Sequence, residues 1–226
     1  MYTIQVNTSL LAAAQMGAAR KDVRYYLNGV LFDIKERLLI GTNGHMIIVA
    51  GNNAISPAAI GVDEKSKPTY APIPADAREF ILPNDSLDEM LKAAKARKLV
   101  SFQLDIDDSG QWASITAHIG SSKYQCSAID GTFPDWRRVV SRSVSGIAAQ
   151  YDPAYIMTLS KVARLLGNVY GYVRLHHNGD KAAIVNINAN CMAVLMPVRM
   201  VDESIDQALS IARLLSDRPM EAAQAA

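Results

Sequence analysis

Cysteine is scarce in this chain. Its 226 residues hold two, Cys126 and Cys191, without a second sulfur nearby and without C-x-x-C spacing. That excludes a disulfide-stapled framework and a thiolate metal site, and leaves two buried free thiols inside strands as the reading. Long apolar runs are lacking too. No stretch reaches about 18 uninterrupted apolar residues, the length a membrane helix needs. The opening "MYTIQVNTSL" carries no basic segment ahead of an apolar core, so the chain reads as soluble and cytoplasmic, with no membrane partner. A dominant charge is absent as well: 23 Lys and Arg stand against 22 Asp and Glu, a net charge of +1. No global basic field advertises nucleic acid, and any such contact has to come from local placement.

The signatures of catalysis are also missing. There is no GxSxG, no Gly-rich phosphate loop, no paired carboxylates at a clear site and no histidine with a nucleophile partner, so the chain reads as a protein that is not an enzyme. His45 has no second ligand type at coordinating spacing, and His176 and His177 fall on opposite faces of a strand. Neither a metal nor a cofactor is expected.

What the sequence does have is apolar periodicity. Half of its residues are hydrophobic, enough to bury a sizeable core. Read by period, the chain repeats one pattern three times: a short strand, a helix, then three strands. The first copy opens with "YTIQV", where Asn7 or Ser9 can cap the alanine-rich helix "LLAAAQMGAARK"; strands over 23–34, 37–42 and 45–50 complete it. The second runs from "EFILP" through the helix "NDSLDEMLKAAKARK" to "LVSFQLDID", whose Val100, Phe102, Leu104 and Ile106 share one face. The strands "WASITAHI" and "KYQCSAI" follow. The third starts near "GIAAQ", takes Asp152 as N-cap, Pro153 as first helical residue and Gly167 as stop, then gives strands in "YVRLHH", "KAAIVNI" and "CMAVLMPV". A Pro- and Gly-rich stretch over 51–78 reads as an extended crossover. Two consecutive copies can bury their helical faces together, which leaves the third as half a domain without a partner.

Four stretches, taken in order, carry a family resemblance: "DVRYYLNGVLF", "TNGHMIIVA", "IDGTFPDWRRV" and "VLMPVRM". They resemble the bacterial replicative sliding clamp, the DNA polymerase III beta subunit family. The resemblance implies an α+β DNA-clamp fold of three β-α-β-β-β modules, about one and a half clamp domains, followed by a C-terminal helix. Residues 1–135, with modules 1–50 and 79–130, resemble the middle domain of the clamp. Residues 136–200 resemble the second half of its last domain, and 201–226 remain as a helical tail.

Members of that family encircle duplex DNA and bind DNA polymerases and clamp-loader-type proteins through short linear peptides that enter a surface pocket. The resemblance therefore implies a processivity or docking factor with duplex DNA and such proteins as partners, acting as a homo-oligomer. By motif alignment the peptide pocket comprises Leu27, Thr42, Gly44, His45, Met46, Ile47, Pro134, Val139, Val194, Leu195, Met196, Pro197, Val198 and Arg199. Arg24, Tyr25, Tyr26, Arg137 and Arg138 align with positions at DNA. Two places depart from the family pattern. Met46 stands where a basic residue is usual, which should enlarge the apolar patch, and Asn84 and Asp85 open the second helix where basic residues are usual. Two readings of the third module stay open. Four chains of three modules could supply the dozen modules of a ring, or a helix over 203–216 could fold back and cap the module, leaving a monomeric clamp-like adaptor that keeps the pocket.

Overall fold

The computed structural model describes residues 1–110 and 113–199; the helical tail expected over 201–226 lies outside the described residues. Strand β1 (Tyr2–Asn7) alternates buried and half-buried positions, as a two-residue side-chain period requires. Of the two candidate caps, Asn7 is the one used. Its side chain accepts the Leu10 backbone N–H at 3.0 Å at the start of helix α1 (Thr8–Gly17), satisfying a donor that the helix leaves open. The helix stops at Gly17, sooner than its alanine-rich stretch suggests, because Ala18 is already extended.

A three-residue 3-10 turn, Tyr25–Leu27, leads into the meander β2 (Gly29–Asp33), β3 (Leu38–Thr42) and β4 (Met46–Ala50). The strand expected over 23–34 thus begins only at Gly29, and the tyrosine pair sits on the turn. Leu27 and Asn28 donate their N–H groups back to the Arg24 and Tyr25 carbonyls, and the Asn28 amide clips the backbone of Asp22. These local bonds hold a tighter conformation than a strand. The 51–78 crossover contains β5 (Ile55–Pro57) and a hairpin of β6 (Ala59–Val62) and β7 (Pro68–Tyr70).

The second module repeats the plan with β8 (Phe80–Pro83), α2 (Asn84–Ala96), β9 (Ser101–Asp107), β10 (Ser114–Ile119) and β11 (Ser122–Ser127). Phe102, Leu104 and Ile106 are buried on one face of β9, while Val100 lies before the strand and is exposed. In the third module Asp152 caps α3 (Pro153–Leu165) and Gly167, at φ +97°, follows its end. The strands β12 (Arg174–His176), β13 (Ala183–Asn188) and β14 (Cys191–Leu195) follow. The lead strand expected near "GIAAQ" is reduced to one bridge, Gln150 to Val198.

Modules one and two exchange their lead strands. β8 completes the first meander by pairing with β2, and β1 completes the second by pairing with β9, both antiparallel. The exchange is reciprocal down to single bonds: the N–H groups opening the two helices, at Thr8 and Asn84, donate to the Val100 and Asn28 carbonyls at 2.9 Å each. The third module docks on the first through its last strand. β14 pairs antiparallel with β4, Leu195 opposite Met46 and Cys191 opposite Ala50, giving one sheet in the order β12-β13-β14-β4-β3-β2-β8. Two apolar strands of matching length, "MIIVA" and "CMAVL", supply the physical reason.

Both strands then alternate in step. Met46, Ile48, Ala193 and Leu195 face the main core with α1, while Ile47, Val49 and Val194 join Phe133 and Trp136 in a second cluster on the opposite face. Helix α1 lies close on this sheet because a Cβ at Gly41 would stand 1.9 Å from the Ala14 carbonyl oxygen. Cys191 is buried and free, and burial pushes its thiol up to about 12. Among the described residues no helix is long and apolar enough to cross a membrane.

Candidate functional site

Where β4 meets β14, the outward face of the sheet is overlaid by a second 3-10 turn, Trp136–Val139. Between turn and sheet lies a cleft of about 220 Å³. Its floor is Ile47 and Val194, adjacent residues across the β4/β14 pairing. Leu27, Pro134, Trp136, Val139 and Met196 complete an apolar lining, with Thr42, Gly44, His45, Arg24, Tyr26 and Asp135 also bordering it.

The rim is ordered by the chemistry of the Thr-Asn-Gly-His corner. Asn43 Oδ1 accepts the His45 and Met46 backbone N–H groups at 2.9 Å each, an Asx turn that fixes the corner. Thr42 Oγ1 donates to the Met46 carbonyl at 2.8 Å and accepts the Gly44 N–H at 3.1 Å. Gly44 sits at φ +90°, a backbone conformation that favours glycine, and the Arg24 guanidinium lies against it. The His45 ring lies nearly parallel to Tyr155 of α3, centroids 6.0 Å apart, and the His45 carbonyl accepts the Met196 N–H at 2.9 Å. The third module therefore holds the corner in two ways.

Two arginines nearby are committed to carboxylate partners. Arg24 forks onto Asp22 at 2.8 and 3.0 Å and reaches the Asn43 carbonyl at 3.2 Å. The Asp22 carboxyl, bonded by the Arg24 side chain and backbone, is lowered to about 2. Arg137 donates to the buried Asp33 carboxylate at 2.7 Å and lies 4.6 Å over the Trp136 ring, a cation–π geometry.

Of the residues the sequence assigns to a peptide pocket, Leu27, Thr42, Gly44, His45, Ile47, Pro134, Val139, Val194 and Met196 gather around this cleft. Met46 and Leu195 do not: the strand period turns them into the main core, so Met46 does not enlarge the apolar patch. Pro197, Val198 and Arg199 lie past the cleft, with Val198 occupied by its bridge to Gln150. Of those assigned to DNA, Arg24 and Tyr26 border the cleft. Arg137 is held by Asp33. Arg138 and Tyr25 are exposed, Tyr25 meeting Tyr26 edge to face at 5.7 Å. Sequence reasoning missed Trp136 as a wall residue. The signal was its place in "PDWRRV", between Pro134 and Val139, both assigned to the pocket.

Helix-backed meanders with exchanged lead strands and this cleft at a module junction define a DNA-clamp fold. A sliding clamp of Pseudomonas aeruginosa solved with a ligand matches at TM-score 0.58 and 18% identity, over 88% of this chain and 66% of that one. A P. aeruginosa clamp bound to griselimycin matches at TM-score 0.57 and 19% identity, over 88% and 65%. In sequence the chain is similar to bacterial beta sliding clamps. It is 27% identical to that of Vibrio cholerae over 210 residues, 91% of this chain and 51% of the relative. To that of Proteus mirabilis it is 29% identical over 181 residues, 79% and 44%. The chain thus spans about half the length of the curated relatives it matches. No protein-family profile matches it.

Proposed function

We propose that the chain is a clamp-like docking protein, without catalytic activity, whose cleft receives short linear peptides of DNA polymerases or other replication and repair proteins and tethers them to duplex DNA. The observation that carries this reading is the preformed apolar cleft, floored by Ile47 and Val194 and bordered by a hydrogen-bonded corner. Aliphatic or aromatic peptide side chains suit such a lining, and Met196, half exposed at its edge, gives it an adaptable wall. The same proposal treats residues 1–135 as a unit like the middle clamp domain and 136–200 as a half unit.

The test is fluorescence anisotropy with a labelled peptide carrying a glutamine followed by apolar residues. Met196→Glu places a charge against the bound apolar group. Burying it unpaired costs about 2–3 kcal/mol, which weakens binding about 30- to 150-fold. The circular dichroism spectrum should not change. Affinity equal to that of the unsubstituted protein would refute the cleft as the peptide site.

A second reading, a non-encircling adaptor that competes for the same peptides, gains support from the engagement of Arg24 and Arg137 by carboxylates, which leaves fewer cations for phosphate. Salt-sensitive retention on circular DNA, released when the DNA is cut, favours the clamp; peptide binding without such retention favours the adaptor.

A further inference from the structure

The net charge of +1 conceals one local imbalance. Residues 153–179, from the start of α3 through β12, contain Lys161, Arg164 and Arg174 and no Asp or Glu. All three cations are exposed, and among the described residues none pairs with a carboxylate, unlike Arg20, Arg24 and Arg137. Lys161 and Arg164 stand three residues apart on α3 and so share one helix face. Past the helix, Asn168 braces a loop. Its side chain accepts the Tyr170 and Gly171 N–H groups at 3.2 and 3.1 Å and donates to the Tyr172 carbonyl at 2.9 Å. Gly171, at φ +71°, lies against Ser160 and Arg164, which seats the loop on the cationic face. Either side of it, the Tyr170 and Tyr172 rings stack with centroids 5.3 Å apart and 14° between planes. They are nevertheless 70% and 72% exposed: each ring covers one face of the other and leaves its second face to solvent. Arg174 opens β12 two residues further on.

We propose that this loop and helix face bind single-stranded DNA. Tyr170 and Tyr172 take unpaired bases onto their open faces, and Lys161, Arg164 and Arg174 hold the flanking phosphates.

The cations alone would attract any polyanion, and the tyrosines alone any apolar surface. Together they fit a chain that offers one flat π face and one phosphate per unit. A duplex does not, because its bases are stacked on one another and show only their edges in the grooves. Stacking of a base on an aromatic ring tolerates every base, so the site reads strandedness and not sequence. The rings are fixed before a ligand arrives, by the Asn168 bonds and by their own contact, so little ordering cost falls on binding. The site is also separate from the cleft. Tyr155, near the start of α3, stacks on the rim residue His45, whereas the loop follows the other end of that helix, about 15 Å along it. A strand held on the loop leaves the cleft open to a peptide.

The experiment is fluorescence anisotropy of labelled oligo(dT) titrated with the full chain over a range of salt. Three phosphate contacts on a single strand give a log–log salt slope of about −2. Tyr170→Ala with Tyr172→Ala should weaken binding about 5- to 150-fold for each stacked base lost, while Tyr170→Phe with Tyr172→Phe should keep it. Arg164→Gln should flatten the salt slope by about 0.7. These side chains are exposed in the native chain, so the variants should fold, with unchanged circular dichroism and unchanged affinity for the cleft peptide. Failure here would therefore leave the peptide reading standing. A duplex of equal length should bind more weakly and be indifferent to the alanine pair. No binding of oligo(dT) at low salt overturns the proposal, as does native affinity in the alanine pair. Competition by duplex or by polyglutamate as strong as that by oligo(dT) also overturns it, by reducing the site to a cationic face. So does a native mass, read by light scattering, that falls on the alanine substitutions, because a second copy would then be the occupant of the face.

Discussion

Arg137 separates a structural role from a nucleic-acid role. Its aligned position suggests DNA contact, but its guanidinium donates to Asp33 Oδ2 at 2.7 Å, and Asp33 is 5% exposed. The other carboxylate oxygen accepts the Glu36 N–H at 3.0 Å. Arg137→Ala strips the buried carboxylate of its charged partner and leaves it, among the described residues, the Glu36 N–H as donor. Breaking a fully buried pair costs about 3–5 kcal/mol. The Arg137 side chain is 50% exposed, so water screens much of this, and about 1–2 kcal/mol remains for the pair. Loss of the cation–π contact with Trp136 adds about 0.5 kcal/mol. The expected destabilisation is therefore about 2 kcal/mol, read as a lower urea midpoint with an unchanged denaturant slope.

Adding Asp33→Asn to Arg137→Ala removes the unpaired charge while keeping an acceptor for Glu36, and should recover about half of that loss. Salt-dependent affinity for duplex DNA should not change on Arg137→Ala. A variant of native stability whose log–log salt slope falls by about 0.9, the signature of one lost phosphate contact, would refute the assignment and return Arg137 to the DNA surface.

Gly41→Ala should destabilise by about 3 kcal/mol or more, because the added carbon would stand 1.9 Å from the Ala14 carbonyl and α1 would have to lift from the sheet; a urea midpoint within error of native would contradict that packing. Asp22, held by Arg24 at about 2, should titrate there by NMR, and Arg24→Ala should return it towards the ordinary carboxylate range. Because the folded value lies below the unfolded one, near 3.9, the contribution of this pair to stability is complete above about pH 4 and is lost as the pH falls towards 2. An ordinary midpoint in the native chain would show that the Arg24 fork does not persist in solution.

The letters disclosed what is local. Asp152, Pro153 and Gly167 mark α3 because cap and stop chemistry acts within a few residues, and the alternation in β9 announces its buried face. Two kinds of feature stayed hidden. The first is phase: a shift of one position along a strand reverses its face. The motif that placed Ile47 and Val194 in the cleft therefore swept in Met46 and Leu195, which the core claims. The second is distance: Asp33 lies 104 residues from Arg137, and nothing near "WRRV" indicates that a buried carboxylate waits for the first arginine. The pairing of β4 with β14 is of the same kind. Each strand is legible alone, but their adjacency depends on which edges the exchange of β1 and β8 leaves free.

That adjacency makes the cleft and the docking of the third module one event. Ile47 and Val194 become neighbours only through the β4/β14 ladder, and the Met196 N–H reaches the His45 carbonyl only once β14 is seated. Tyr155 stacks on His45 only when α3 lies against α1. On the proposed function, a peptide meeting this site finds floor and rim already ordered by contacts internal to the fold. It therefore bears little of the ordering cost that weakens binding to mobile surfaces. A substitution that loosened β14 from β4 would dismantle the site without touching the residues that contact a ligand. Peptide affinity and the stability of the third module should accordingly fall together when Ala193, buried in that ladder, is replaced by a larger residue, whereas Met196→Glu should lower affinity alone. If Ala193→Leu weakened the module yet left peptide affinity intact, the cleft would have to be assembled by the first module and the linker, and the dependence argued from the strand ladder would be wrong.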